Sequence, residues 1–227
     1  MDSLKAHKCD NLLQSRGTDM TFCLTQEEGE FLVRLTRKAV ENYLRTGKVT
    51  NAPEDAPAKL QQRCGVFVTI NILKHGKEEL RGCIGYPYPT TILLQAVIEC
   101  AISSATQDPR FRPLSTEELD RLVFEVSVLT PPEAIITDNP RQLTSKIQVG
   151  KDGLIVERGP YKGLLLPQVA VEYDWNEEEF LCHCCMKAGL PPDEWLVKMT
   201  KVHKFQAIVF EEVTPKGKIV RKELGGK

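Results

Sequence analysis

The chain has 227 residues, of which 41% are hydrophobic, 27% charged and 7% aromatic, a globular composition that excludes disorder, collagen-like repeats and a coiled coil. Thirty Lys and Arg face thirty-one Asp and Glu, for a net charge of −1, so no long-range cationic field recruits nucleic acid or an anionic membrane, and direct nucleic-acid binding is not expected. The most apolar stretch, 91–101, is broken by Gln95 and Glu99, well short of the roughly 20 apolar residues that span a bilayer. Residues 1–19 lack the apolar core of a secretory signal; a cytoplasmic chain is expected, with its eight cysteines as reduced thiols and not a disulfide framework.

Residues 1–19 show no apolar periodicity and are taken as an N-terminal extension; the domain is expected over 20–227. Thr25 and Glu28 have capping-box spacing, and Phe31, Leu35, Ala39 and Tyr43 recur every four residues, which predicts an amphipathic helix ending near Gly47. After a proline-containing linker at 51–57, the alternation of Val66, Val68, Ile70 and Ile72 predicts a strand, and a turn at His75-Gly76 leads to a second over 79–85. A helix over 90–106, a loop over 108–113, a short helix at 116–120 and a strand at 122–130 complete a β-β-α-α-β unit. The same order recurs as strands at 154–157 and 163–171, helices at 176–188 and 193–199, and a strand at 205–213. The chain is therefore expected to be α+β, a largely antiparallel sheet with a duplicated element order. Residues 131–151 stand between the halves as an insertion, with a smaller subdomain expected near 131–160.

Leu80-Arg81-Gly82-Cys83-Ile84-Gly85 is the most informative segment. On a regular strand, period two places Arg81 and Cys83 on one face and Leu80 and Ile84 on the other. A guanidinium beside a thiol favours thiolate, and the glycines open the backbone to a substrate, which are the ingredients of a cysteine nucleophile. The same residues also read as a buried thiol beside glycines that mark a bulge or tight packing. Asp108-Pro109-Arg110-Phe111 is turn chemistry able to aim a carboxylate and a guanidinium into a cleft. Gln168, behind a leucine run, needs partners if buried. Cys182-His183-Cys184-Cys185 resembles a metal or redox motif, but helical spacing turns Cys184 and Cys185 inward behind Glu177, Glu178 and Glu179, and no second ligand pair exists, so no metal is expected. His75 and His203 have no sequence partner that marks them out. Walker A, dinucleotide, H-E-x-x-H and G-x-S-x-G motifs are missing from the sequence, which removes the standard nucleotide, zinc-protease and serine-hydrolase routes.

Leu80 to Gly85 resembles the signature of the AMMECR-one family, the family of the Alport syndrome, midface hypoplasia and elliptocytosis chromosomal region with its bacterial and archaeal relatives. D-P-R-F at Asp108, V-S-V-L-T-P-P at Val126, L-L-P-Q-V at Leu165, and E-E-F-L with C-x-K-A-G-L from Glu178 to Leu190 resemble further family blocks in the same order. The resemblance implies an α+β fold with a larger duplicated subdomain and a smaller one; no cofactor is expected. It implies that Cys185 matches a family cysteine, whereas Cys182 and Cys184 are additions of this chain. Memo-like and radical-SAM proteins are the partner classes it suggests. Because the family is most recognisable at Cys83, the resemblance moves that residue toward function. The leading expectation is an enzyme-like module using Cys83 as nucleophile, Arg81 and Arg110 as thiolate or anion partners, and Asp108 and Gln168 as positioners. Its class would be thiol-dependent chemistry on a small molecule or modified protein. The alternative is a non-catalytic adaptor that binds a protein partner through the same motif face.

Overall fold

The computed structural model describes residues 22–223; the extension read at residues 1–19 lies outside them. Helix α1 (Gln26–Thr46) starts on the expected capping box, with Thr25 accepting from the Glu28 N–H and the Glu28 carboxylate accepting from Thr25, and it ends on left-handed Gly47. Its inner face, Leu32, Val33, Leu35, Ala39 and Val40, is buried. Strands β1 (Gly65–Lys74) and β2 (Lys77–Tyr86) form a tight hairpin through His75 and Gly76, both with positive φ, the geometry that matches strand twist in two-residue turns. Helix α2 (Leu93–Thr106), a 3-10 turn (Thr116–Arg121) and β3 (Leu122–Leu129) complete the first unit.

The second unit comprises β5 (Asp152–Arg158), β6 (Tyr161–Leu165), the short α3 (Pro167–Glu172), α4 (Glu177–Lys187), a 3-10 turn (Glu194–Leu196) and β7 (Lys201–Glu212). Between the units, β4 (Glu133–Ala134) pairs with β7, and two 3-10 turns supply Leu143 and Ile147 to the core beneath α4. The sheet is antiparallel throughout, in the order β2-β1-β3-β7-β5-β6, with β8 (Ile219–Lys222) also on β7. This α+β order reads the same from either edge, as a duplicated unit joined at its last strands requires.

One expected element is shortened and one strand is added. The strand predicted over 163–171 stops at Leu165, because Pro167 begins a helix as its first residue. The strand at Ile219–Lys222 was not foreseen.

One core lies between α1, α2 and the sheet; a second packs α4 on β5 and β6. On the opposite face Phe67, Tyr88, Leu164, Leu166 and Phe205 gather in a third cluster, and Lys162 sits 3.9 Å over the Tyr88 ring, so the sheet curls until residues beyond β2 meet β6. A buried ion pair fastens α1: Arg37 Nε donates to Glu212 at 2.7 Å and Arg37 Nη2 to the Leu122 carbonyl at 2.8 Å. No helix of the described residues is long and apolar enough to cross a membrane.

Candidate functional site

Strand β2 carries a bulge. Ile70 pairs with Gly82 and Asn71 with Leu80, so Arg81 is the extra residue. The period-two expectation therefore fails here: Arg81 turns with Gly82 toward the helix-covered side, and Leu80 joins the side of Cys83 instead of that of Ile84. The Arg81 guanidinium is buried, donating to Glu118 at 2.9 and 3.2 Å and to the Arg112 and Pro113 carbonyls at 2.8 and 3.4 Å. Burial alone would raise the Glu118 carboxyl, but Arg81 and the Ser115 N–H hold it below its ordinary value. Arg81 thus fixes the 3-10 turn to the bulge and lies away from the thiol.

Asp108 and Arg110 do come to Cys83, through its backbone. The buried Asp108 carboxylate accepts from the Cys83 N–H at 2.8 Å and is gripped by Arg110 Nε and Nη2 at 3.0 and 2.8 Å, while Arg110 Nη2 also donates to the Cys83 carbonyl at 3.3 Å. The Arg110 guanidinium, first, and the backbone donors behind it hold the Asp108 carboxyl well below the usual carboxylate range. One residue on, the Ile84 N–H donates to Ser104 Oγ, which donates to the Val68 carbonyl, each at 2.8 Å. Ser104 thus bridges β2 to β1, since Val68 is the cross-strand partner of Ile84. Because β2 is the last strand on its side of the sheet, it is the Asp108 and Arg110 bonds that occupy Cys83 backbone groups an edge strand would otherwise present to another chain. Both motif glycines are required: a Cβ on Gly82 would press into the Ser104 carbonyl of α2, and one on Gly85 into the Phe67 ring.

What remains of the motif is the Cys83 thiol, half-buried, with the Thr69 hydroxyl donating to Sγ at 3.5 Å. Burial pushes this thiol up; the Thr69 hydroxyl and Arg110 pull it back, and Glu125 and Asp108 add to the rise. The expected acid-shifted thiol is therefore not what the site holds at rest. Cys83, Thr69, Glu125 and Glu211 are successive cross-strand partners over β2, β1, β3 and β7 and form one row on the face away from α1 and α2. Lys222 of β8 closes the row with bonds of 2.9 Å to Glu125 and 2.7 Å to Glu211, and these carboxylates outweigh burial to hold the ammonium above its ordinary value. Thr69, Glu125, Glu211 and Lys222 were missed by sequence reasoning. Glu125 carried a signal, a lone carboxylate inside Leu-Val-Phe-Glu-Val-Ser-Val-Leu.

Gln168 falls on α3, off the strands, and is no hydrogen-bond partner of Cys83, Asp108 or Arg110; its Oε1 is buried with no partner among the described residues. Cys184 and Cys185 face inward as expected, and burial pushes their thiols up to about 12 and about 11. His183 stacks on Trp175 with ring centres 3.7 Å apart. His203 lies within β7, its Nδ1 buried without a partner among the described residues. Among the described residues no group of three or more His, Cys, Asp and Glu side chains is arranged to hold a metal ion, and no disulfide joins two of the seven cysteines in them.

A bulged L-R-G-C-I-G edge strand stapled by D-P-R-F meets a family model described as AMMECR1, which matches residues 33–210. The chain belongs to the AMMECR1 family. It is 56% identical over 206 residues to protein PH0010 of Pyrococcus horikoshii, covering 90% of this chain and 100% of that one. Protein MJ0810 of Methanocaldococcus jannaschii is 50% identical over 201 residues, covering 88% and 98%. The crystal structure of the uncharacterized PH0010 superimposes with a TM-score of 0.80, over 89% of this chain and 100% of that one. PH0010 shares the fold; these AMMECR1 relatives carry no reaction across.

Proposed function

We propose that this AMMECR1 chain is a binding module that presents the Cys83-Thr69-Glu125-Glu211 row to a protein partner, with a rigid stapled edge strand as its frame. The observation that carries this reading is the division of labour within the motif. Arg81, Gly82, Asp108 and Arg110 are committed to internal bonds and packing, and the motif side chain left in the row is the Cys83 thiol, which burial pushes up. A cysteine nucleophile needs a base or a dominating cation at its sulfur; Sγ has Thr69 as its hydrogen-bond partner and two carboxylates nearby. The partner classes to test are those of the family resemblance, Memo-like and radical-SAM proteins, in a cytoplasmic setting.

A second reading, thiol chemistry on a small molecule or modified protein, draws on the opposing pull of Thr69 and Arg110 on the thiol and on its partial exposure. Alkylation of the native chain with limiting reagent, mapped by mass spectrometry across pH, separates the two. The binding reading expects Cys83 to label with an inflection above the roughly 8.5 of a free cysteine. An inflection below that value, moved upward by Thr69→Val, would replace it with the thiol-enzyme reading.

A further inference from the structure

On the other side of the bulge lies a cleft of about 380 Å³ between the β1–β2 hairpin, the loop after α2 and the 3-10 turn before β3. Five cations line it, Lys74, Arg81, Arg110, Arg112 and Arg121, against the single carboxylate of Glu118, in a chain whose net charge is −1. They are not equally occupied. Arg81 is held through all three of its nitrogens by Glu118 and two carbonyls, and Lys74 pairs with Glu79 at 2.6 Å. Arg110 spends Nε and Nη2 on Asp108 and Cys83, which leaves Nη1 with both its N–H groups unspent. The Arg112 and Arg121 guanidiniums make no side-chain hydrogen bond or ion pair among the described residues, although Arg112 lies near enough to Glu118 to help hold its carboxyl down.

Like charges gathered in a concave site repel one another, and a bound anion relieves that repulsion. Arg81 acts as the fixed wall: its side chain is only 10% exposed, so its position does not depend on a ligand. Phe111 and Ile72 give the cleft an apolar side, and Arg110 already lies 5.4 Å from the centre of the Phe111 ring.

We infer that this cleft is a binding site for a small phosphorylated molecule, its phosphate held by Arg112, Arg121 and the free edge of Arg110 and its ring or carbon skeleton laid on Phe111. Guanidinium is the side chain best matched to phosphate oxygens, because its planar fork donates two parallel hydrogen bonds. The volume suits a ligand of roughly mononucleotide size, near the lower end of the 300–1,000 Å³ typical of ligand pockets. The chain's balanced charge disfavours an extended polyanion, whose capture needs a broad field of one sign. The site lies on the other side of the bulge from the proposed partner-binding row and uses none of the Cys83, Thr69, Glu125 or Glu211 side chains; the two share Arg110, whose Nη2 holds the Cys83 carbonyl while Nη1 stays available to the cleft.

Isothermal titration of the full chain with pyrophosphate and with phenyl phosphate, at about 0.1 M salt where screening reaches about 10 Å, tests the site. Saturable one-to-one binding is expected. Arg112→Gln and Arg121→Gln should each weaken both probes roughly three- to tenfold, as for loss of one partly exposed charge-assisted contact, and together should abolish saturation. Phe111→Ala should weaken phenyl phosphate more than pyrophosphate. Arg45→Gln, in the separate cationic hollow on α1, should change neither. Thermal unfolding of each variant confirms that it folds. The inference is overturned if neither probe saturates, if the double variant binds as the parent does, or if only a duplex oligonucleotide binds, which would make the surface a polyanion patch.

Discussion

Gly82→Ala isolates the claim that the L-R-G-C-I-G motif is built for packing before chemistry. Gly82 has no positive φ, so the substitution brings no backbone strain and its cost is steric. A Cβ there would come closer than 3.0 Å to the Ser104 carbonyl oxygen, a backbone atom inside α2 that has no rotamer to escape into. To reach even the tightest contact real side chains show, the strand and helix must separate by about 1 Å. That separation breaks the two 2.8 Å bonds through Ser104 Oγ, to the Ile84 N–H and the Val68 carbonyl. Overpacking costs about 1–3 kcal/mol and each lost hydrogen bond about 1 kcal/mol, so the expected loss is roughly 3–5 kcal/mol. In a chain of this length 1 kcal/mol corresponds to about 2–4 °C, so the melting temperature should fall by roughly 6 °C or more. Urea denaturation gives the loss directly, with Cys83→Ser as the companion variant: half-buried and hydrogen-bonded by a hydroxyl that serves oxygen as well as sulfur, it should cost within about 1 kcal/mol. A Gly82→Ala loss below about 1 kcal/mol, or a Cys83→Ser loss that exceeds it, would refute the packing account of the motif.

The Asp108 carboxyl is held below its ordinary value in the folded chain, so its contribution is present above the unfolded value of about 3.9 and is lost as pH falls through and below it. Asp108→Asn should therefore be less stable than the parent by about 1–3 kcal/mol at neutral pH, with the gap closing on acidification below about pH 4; a urea-midpoint series that shows a constant gap would contradict the staple. Arg37→Met should cost about 3–5 kcal/mol because it leaves the Glu212 carboxylate buried without its cation, and adding Glu212→Leu should recover most of that. Equal losses in the single and double variants, measured by equilibrium unfolding, would show that the pair is not coupled.

The fold was legible where local signals and burial agree. Thr25 and Glu28 announce α1 because a capping box satisfies backbone donors that have no helical partner, and alternation from Val66 to Ile72 announces β1 because one of its faces is wholly buried. The site was legible in its residue types and not in its geometry. A bulge at Arg81 costs one residue of register and no change of composition, so period two sent the guanidinium to the wrong face. Gly82 was the available hint, since a glycine within a strand marks either a bulge or a close approach, and here both occur. Gln168 was misplaced because Leu164-Leu165-Leu166 runs apolar into a helix whose start is signalled by Pro167 alone. Long-range pairs such as Arg37 with Glu212, or Lys222 with Glu125, leave no trace in local pattern, because their partners are brought together by strand order.

The duplication separates what the fold needs from what the first half adds. In each unit a glycine on the second strand lets the following helix come down onto the sheet: Gly82 under the Ser104 carbonyl, and Gly163 under that of Cys184, where an added Cβ would lie 2.7 Å from the oxygen. In each unit the side chain of that helix residue reaches a carbonyl of the unit's first strand, Ser104 Oγ to Val68 and Cys184 Sγ to Leu154 at 3.5 Å. Cys184 is thus the second unit's counterpart of a structural serine, which accounts for its burial and its high thiol value without metal or redox chemistry. The residues that follow α4, Gly189-Leu190-Pro191-Pro192, contain neither the carboxylate nor the guanidinium of Asp108-Pro109-Arg110-Phe111, so the second unit cannot make the same staple. Shared features answer to folding, which both units must do. The staple, the Cys83 thiol at the end of its polar row and the arginine cleft belong to the first unit, and that asymmetry in an otherwise matched pair is what directs a search for function there.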